Sequence, residues 1–183
     1  MIITAFDPGY VKAGIAQIEV YDDGIFVEHA GFILPAWKAP GKCLTKVDAM
    51  IAGIEQYKKD FPQFFRCDML VVEAQESYPA RKIGGRYVKG ANANVLIRMG
   101  KVAGAFYAMV DSDKKCFVLP KDWNGSRSKD QNHPLIFKRL GNPDPITWPW
   151  VSKVTASNYE HAIDAVGMAL WMYDQTNQQG QNK

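Results

Sequence analysis

Ile2-Ile3-Thr4-Ala5-Phe6-Asp7-Pro8-Gly9-Tyr10-Val11-Lys12-Ala13-Gly14-Ile15-Ala16-Gln17-Ile18-Glu19 is the stretch on which the fold turns. Ile2 to Phe6 is short, apolar and rich in β-formers, the pattern of a buried strand. Pro8-Gly9 then imposes a turn through one fixed φ and one permissive residue. A second apolar run from Ala13 to Val20 leads back, so the whole reads as a hairpin with Asp7 at a strand end. Such an aspartate has two readings. It can hydrogen-bond its own loop, or it can be one of several acids that converge on a site.

Working outward, Asp22-Asp23-Gly24 is a turn signal and Ile25 to Leu34 a third strand, which completes an antiparallel meander. Pro35 to Gly41 is a breaker-rich loop. Val47, Met50, Ile51, Ile54 and Tyr57 recur at helical spacing and predict a helix over Thr45–Tyr57. Asp68-Met69-Leu70-Val71-Val72-Glu73 is a continuous apolar run that ends on an acid, the pattern of a strand buried on both faces. Two inner strands that each end on a carboxylate weaken the turn-only reading of Asp7, because adjacent central strands bring their ends together. Glu76 falls in the following loop and is left outside the site.

Ser77 to Gly90 reads as a loop in which Arg81, Lys82, Arg86 and Lys89 alternate with Tyr78 and Tyr87, a composition that holds phosphates and stacks on exposed bases. Asn92 to Val110 is a helix whose Val95, Met99, Val102, Phe106 and Met109 form one apolar seam. Ala93, Gly100, Ala103, Gly104 and Ala108 keep the rest small enough for close packing on a sheet or a second copy. Arg98 and Lys101 lie off the seam and extend the basic surface. Cys116 to Leu119 is a further strand, and Lys121 to Lys129, with Arg127, is a second basic loop. A short helix over Leu135–Leu140 ends at Gly141. The stretch containing Pro143, Pro145 and Pro149 is irregular, with Trp148 and Trp150 pinning it to the body. The last helix begins at Ser157-Asn158-Tyr159-Glu160, a capping box that gives Glu160 a structural role. His161 and Asp164 stand at i and i+3 near its start and share a face. From Gln175 the chain is polar and is expected to fray.

The chain has 183 residues, 47% hydrophobic and 22% charged, which fits one globular domain over residues 1–174 with a flexible tail over 175–183. No signal-peptide pattern and no membrane-length apolar run occurs, so a cytoplasmic protein without membrane contact is expected, in a bacterium or a phage-infected host. Cys43, Cys67 and Cys116 offer neither a disulfide framework nor a zinc spacing. Net charge is +3 but segregated. Residues 1–76 carry 7 Lys/Arg against 11 Asp/Glu, and residues 77–153 carry 14 against 5. A basic middle third facing acidic flanks suits a polyanion, from which lysines and arginines displace counterions.

The candidate site is therefore Asp7, Glu73, His161 and Asp164. Three carboxylates and one imidazole, with no thiolate, suit Mg²⁺ or Mn²⁺ better than zinc. Two such ions about 3.5–4 Å apart can clamp an in-line phosphoryl displacement. No nucleophile elbow or dinucleotide glycine fingerprint is present, and no small-molecule cofactor is expected.

Phe6-Asp7-Pro8-Gly9, Val71-Val72-Glu73 and Glu160-His161-Ala162-Ile163-Asp164-Ala165 occur in the order meander, helix, strand, helix, strand, helix. In this arrangement the chain resembles the RuvC-type Holliday junction resolvases of the RNase H-like superfamily, up to about Tyr173. Leu119-Pro120-Lys121-Asp122-Trp123-Asn124-Gly125, followed by Lys129, resembles a segment of the phage-encoded branch. The resemblance implies an α/β RNase H-like fold: a mixed five-stranded sheet, with an antiparallel three-strand meander plus parallel strands, flanked by helices. It implies that Asp7 bridges two metal ions and that Glu73 and Asp164 are ligands. Many relatives carry aspartate where this chain has His161, which leaves that residue a metal ligand or an orienter of phosphate or water.

The resemblance further implies a homodimer that makes paired symmetric nicks in four-way DNA junctions. Tyr78 or Tyr87 would lie near the crossover, and the DNA-binding set would be Arg81, Lys82, Arg86, Lys89, Arg98, Lys101, Lys121, Arg127 and Lys129. Three alternatives stay open: a nuclease for other branched DNA or RNA-containing duplexes, a non-catalytic nucleic-acid-binding protein on the same fold, and an actin-like ATP-binding fold.

Overall fold

The computed structural model describes residues 1–37, 45–75, 81–83, 86–88, 92–125, 127–141 and 156–181. Strands β1 (Ile2–Asp7), β2 (Ala13–Tyr21) and β3 (Gly24–Ile33) form the expected meander. Helix α1 (Lys46–Asp60) follows, capped by the Thr45 hydroxyl, which accepts from the Asp48 N–H. A 3-10 turn over Pro62–Phe65 then leads into β4 (Arg66–Glu73). Next come a small hairpin of β5 (Arg81–Ile83) and β6 (Arg86–Val88), helix α2 (Ala93–Met109) and β7 (Asp111–Val118). Helices α3 (Pro120–Trp123), α4 (Lys129–Arg139) and α5 (Ala156–Gln181) complete the chain.

The main sheet has strand order β3-β2-β1-β4-β7, with β4 parallel to β1 and β7 parallel to β4. This is the mixed five-stranded sheet expected from the sequence. Its central strands are covered on both faces, which is why their sequences run apolar without alternation. Strand parity decides which face each residue serves. Ile3, Ala5, Met69, Val71, Ala16 and Ile18 face α5, while Phe6, Leu70, Val72 and Ile15 face α1 and α2. On the second face Phe6 stacks on Phe106 of α2, with ring centroids 3.9 Å apart. Asp7 and Glu73 continue the parity of Ala5 and Val71, so both acids belong to the α5 side.

Several local expectations change. The loop expected over Ser77–Gly90 contains the β5–β6 hairpin. The second basic loop is bounded by helix, because α3 occupies Pro120–Trp123 and α4 starts at Lys129, six residues before the expected Leu135. Pro134 sits inside α4. The Ser128 N–H donates to the Gln131 side chain at 3.1 Å and secures the earlier start. Helix α5 begins at Ala156, so Ser157 lies within its first turn and not at the position before it. Glu160 is instead paired with Lys129 at 3.3 Å. The chain expected to fray at Gln175 is helical as far as Gln181. Trp148, Trp150 and the proline-rich stretch around them lie outside the described residues, as do Tyr78 and Lys89. No helix among the described residues is long and apolar enough to cross a membrane.

Candidate active site

The parallel register pairs Phe6 with Val72, so the next residues, Asp7 and Glu73, close β1 and β4 side by side. Helix α5 crosses the same face and brings His161 and Asp164 to those strand ends. Its approach depends on Gly14 of β2, the register partner of Asp7. A Cβ at Gly14 would lie 2.0 Å from the His161 carbonyl oxygen, so only glycine lets the helix backbone come this close.

Asp7, His161 and Asp164 each offer one ligand atom, and these atoms lie within 4.8 Å of one another. The His161 Nδ1 and Asp7 Oδ2 are 2.5 Å apart and share a hydrogen bond. Asp7 and Asp164 are each only 6% exposed. Glu73 stands next to them but outside this group. It accepts from the Trp123 indole N–H at 3.1 Å and from the Gln75 amide at 2.9 Å. Three of the four expected residues thus converge, and the fourth stands beside them.

The electrostatics follow from burial. Loss of solvent raises the Asp7 pKa against the opposing pull of His161, with Asp164 adding to the rise. Burial and the neighbouring Asp7 push Glu73 up to about 7, although Trp123 and Gln75 favour its charged form. The hydrogen bond to Asp7 raises His161 despite partial burial, so the pair holds a proton to higher pH than a free imidazole would. Burial works to raise Asp164, but contacts from His133 and Lys129 outweigh it and the net direction is down.

His133 and Trp123 were missed in the sequence. His133 of α4 lies 2.9 Å from Asp164 through Nε2. It sits four residues after Lys129, a helical spacing that places both on one face, but only a helix starting before Pro134 exposes that signal. Lys129, expected on DNA, has its ammonium 2.7 Å from Asp164 and 3.3 Å from Glu160. Partial burial lowers its pKa, yet the contact with Asp164 and the pairing with Glu160 raise it overall.

Of the remaining basic residues, Arg98, Lys101, Lys121 and Arg127 are exposed. Arg98 lies over the Tyr10 ring at 5.9 Å, which joins the basic side of α2 to the turn after Asp7. A cleft of about 700 Å³ between α1 and α2 is lined by Lys46, Arg98 and Lys101. Arg81, Lys82, Arg86 and Tyr87 belong to the β5–β6 hairpin.

No known protein-family model matches this chain, and no curated protein does. Solved structures do match. Thermus thermophilus RuvC in complex with a Holliday junction substrate superposes with a TM-score of 0.62 at 16% identity, over 97% of this chain and 96% of that one. The yeast mitochondrial Holliday junction resolvase Ydc2 gives 0.56 at 11% identity, over 97% and 83%. The fowlpox virus resolvase with its substrate Holliday junction DNA gives 0.51 at 14% identity, over 94% and 98%. The chain therefore has the RuvC-like RNase H fold. The structures that share it here are Holliday junction resolvases.

Proposed function

We propose that this chain is a metal-dependent, structure-selective DNA endonuclease that resolves four-way junctions by paired symmetric nicks as a homodimer. One observation carries the reading: two buried carboxylates and an imidazole converge within 4.8 Å at a strand end, beside a third acid. The donor set fits a divalent cation on chemical grounds. Two carboxylate oxygens and one imidazole nitrogen within 4.8 Å of one another are donors that Mg²⁺ or Mn²⁺ would take.

Asp7, His161 and Asp164 would hold Mg²⁺ or Mn²⁺, with Glu73 turning inward to complete a second position. Two ions there would supply Lewis-acid activation of water and charge stabilisation at the leaving oxygen. Glu73, with a pKa near neutrality, is suited to accept a proton at the reacting end of the site. His133 orients the Asp164 carboxylate, and Lys129 neutralises it until a cation or a phosphate arrives. The cationic line from Arg98 to Lys101 offers the phosphodiester backbone a path beside the turn that carries Asp7.

The deciding experiment is a strand-resolved nicking assay on a synthetic four-way junction, run beside flap, fork and RNA-containing duplexes. Mg²⁺-dependent symmetric nicks on the junction are expected, and Asp7→Asn is expected to bind without cutting. A wild-type protein inert on every branched DNA with both Mg²⁺ and Mn²⁺ would overturn the proposal. Preference for a flap or an RNA-containing duplex would keep the nuclease and change its substrate.

A further inference from the structure

The two side chains that donate to the Glu73 carboxylate differ in how they are held. The Trp123 indole N–H reaches Oε2 at 3.1 Å, and the Gln75 amide reaches Oε1 at 2.9 Å, so each oxygen carries one bond. Trp123 is 8% exposed and belongs to the core on the α5 side of the sheet. Its ring settles against Gly167 of α5, where a Cβ would lie 2.8 Å from the indole. The turn that carries it is closed on itself, since the Leu119 N–H donates to the Asp122 carboxylate at 3.1 Å. Gln75 stands two residues beyond the end of β4 and is partly exposed. Its amide reaches back to a near neighbour in its own chain and has solvent to turn to when it lets go.

The two groups also differ in chemistry. An indole N–H only donates, so it is neither a ligand for a cation nor drawn to one. Breaking its bond to Glu73 would leave a buried donor and a buried acceptor unpaired, which is costly. The Gln75 amide loses little, because water replaces its partner.

We propose that Trp123 is a positioning residue for Glu73: it fixes Oε2, while Gln75 keeps Oε1 only until a divalent cation takes that oxygen. The inference rests on reading the chain as a metal-dependent nuclease, and it adds how the fourth acid of the site is held and released. A donor and a cation compete for the same lone pairs. Oε2 is freed only by moving a ring out of the core, whereas Oε1 is freed by turning one side chain at the surface. An anchored carboxylate is also already oriented when the cation arrives, as ligands held by outer partners generally are. The two donors therefore act in opposite directions on one group. Trp123 assists the cation and Gln75 competes with it.

The test measures Mn²⁺ binding to the whole chain by electron paramagnetic resonance, without DNA, in wild type, Trp123→Phe and Gln75→Ala. Trp123→Phe keeps a ring against Gly167 and removes the N–H. It is expected to weaken binding about tenfold, as loss of a metal ligand's outer partner commonly does. Gln75→Ala is expected to tighten binding about threefold, the worth of one ordinary hydrogen bond. A purely structural role would weaken binding in both variants, so opposite signs are the signature of positioning. Either variant unchanged, or both shifted the same way, overturns it. Should Trp123→Phe fail to fold, the Trp123 indole cross-peak in the ¹⁵N–¹H spectrum of wild type takes its place. On Mg²⁺ titration that peak is expected to stay at its hydrogen-bonded position while the Gln75 amide peaks move. An indole peak that moves to the unbonded position, or Gln75 peaks that stay, overturns the proposal. Nicking of a four-way junction is read separately. If the signs are opposite but no branched DNA is cut, the positioning stands and the nuclease reading fails. If junctions are cut but the signs agree, the nuclease stands and the positioning falls.

Discussion

Gly14 of β2 lies beneath the main-chain carbonyl of His161 on α5, so close that a Cβ would come within 2.0 Å of the oxygen. Because Gly14 is the register partner of Asp7, this gap sets the distance between the first strand and the last helix. The obstacle to a side chain is backbone, which cannot swing aside. Gly14→Ala is expected to cost about 1–3 kcal/mol, or several degrees of Tm in a protein of this size. It should also weaken Mn²⁺ binding by separating His161 from Asp7. Thermal melts with and without Mn²⁺ check this, and a variant with unchanged Tm and unchanged metal response would contradict it.

Lys129 holds Asp164 with an ammonium that is itself about half exposed. Removing it as Lys129→Met should lower stability without metal by about 1 kcal/mol, a value kept low by solvent screening. A divalent cation then no longer competes with a lysine. Added Mg²⁺ should raise the Tm of the variant by more than that of the wild type. Equal shifts in a thermal titration would show that Lys129 and the cation do not share Asp164.

Glu73, pushed up to about 7 by burial and by Asp7, gives a pH signature. The folded state keeps this proton between the ordinary glutamate range near 4.5 and about 7, whereas the unfolded chain has lost it. Its contribution is therefore full below about 4.5, declines as pH rises to about 7, and is level beyond. Glu73→Gln, which imitates the protonated form, should be more stable than wild type at pH 8 by about 2–3 kcal/mol in the absence of metal. The advantage should shrink toward pH 4.5. Urea titrations at both pH values test the sign.

His29 reports the opposite direction, far from the acidic cluster. It is buried against Phe64, with ring centroids 4.1 Å apart, and hydrogen-bonded to the Tyr57 hydroxyl. Burial lowers its pKa to about 4. The unfolded chain takes up this proton near pH 6.5 and the folded protein only near 4, so stability falls as pH drops through that window and levels below it. The loss is expected to reach about 3 kcal/mol. His29→Gln should flatten that part of the profile, measured as the difference in unfolding free energy between pH 7 and pH 4.

Much of the fold was legible because it depends on short-range pattern. The Asp22-Asp23-Gly24 turn, the unbroken apolar run into Glu73 and the seam along α2 each express a local rule of strand or helix. Where the reading failed, local rules competed. The helix expected at Leu135 starts at Lys129, with Pro134 inside it and Ile136 packed against Gly167 of α5. Ser157 and Glu160 matched a capping box, but α5 starts earlier and Glu160 turns to Lys129.

By itself, the sequence determined that strand ends would carry Asp7 and Glu73, that a late helix would carry His161 and Asp164, and that the middle third would be basic. Those are properties of composition and period, which need no knowledge of what packs on what. Only the tertiary structure decided that Asp7, His161 and Asp164 meet while the Glu73 carboxylate turns to Trp123, and that Lys129 and His133 hold Asp164. Convergence across 154 residues depends on sheet parity and on how closely a helix can approach, and that approach is permitted by a missing side chain at Gly14.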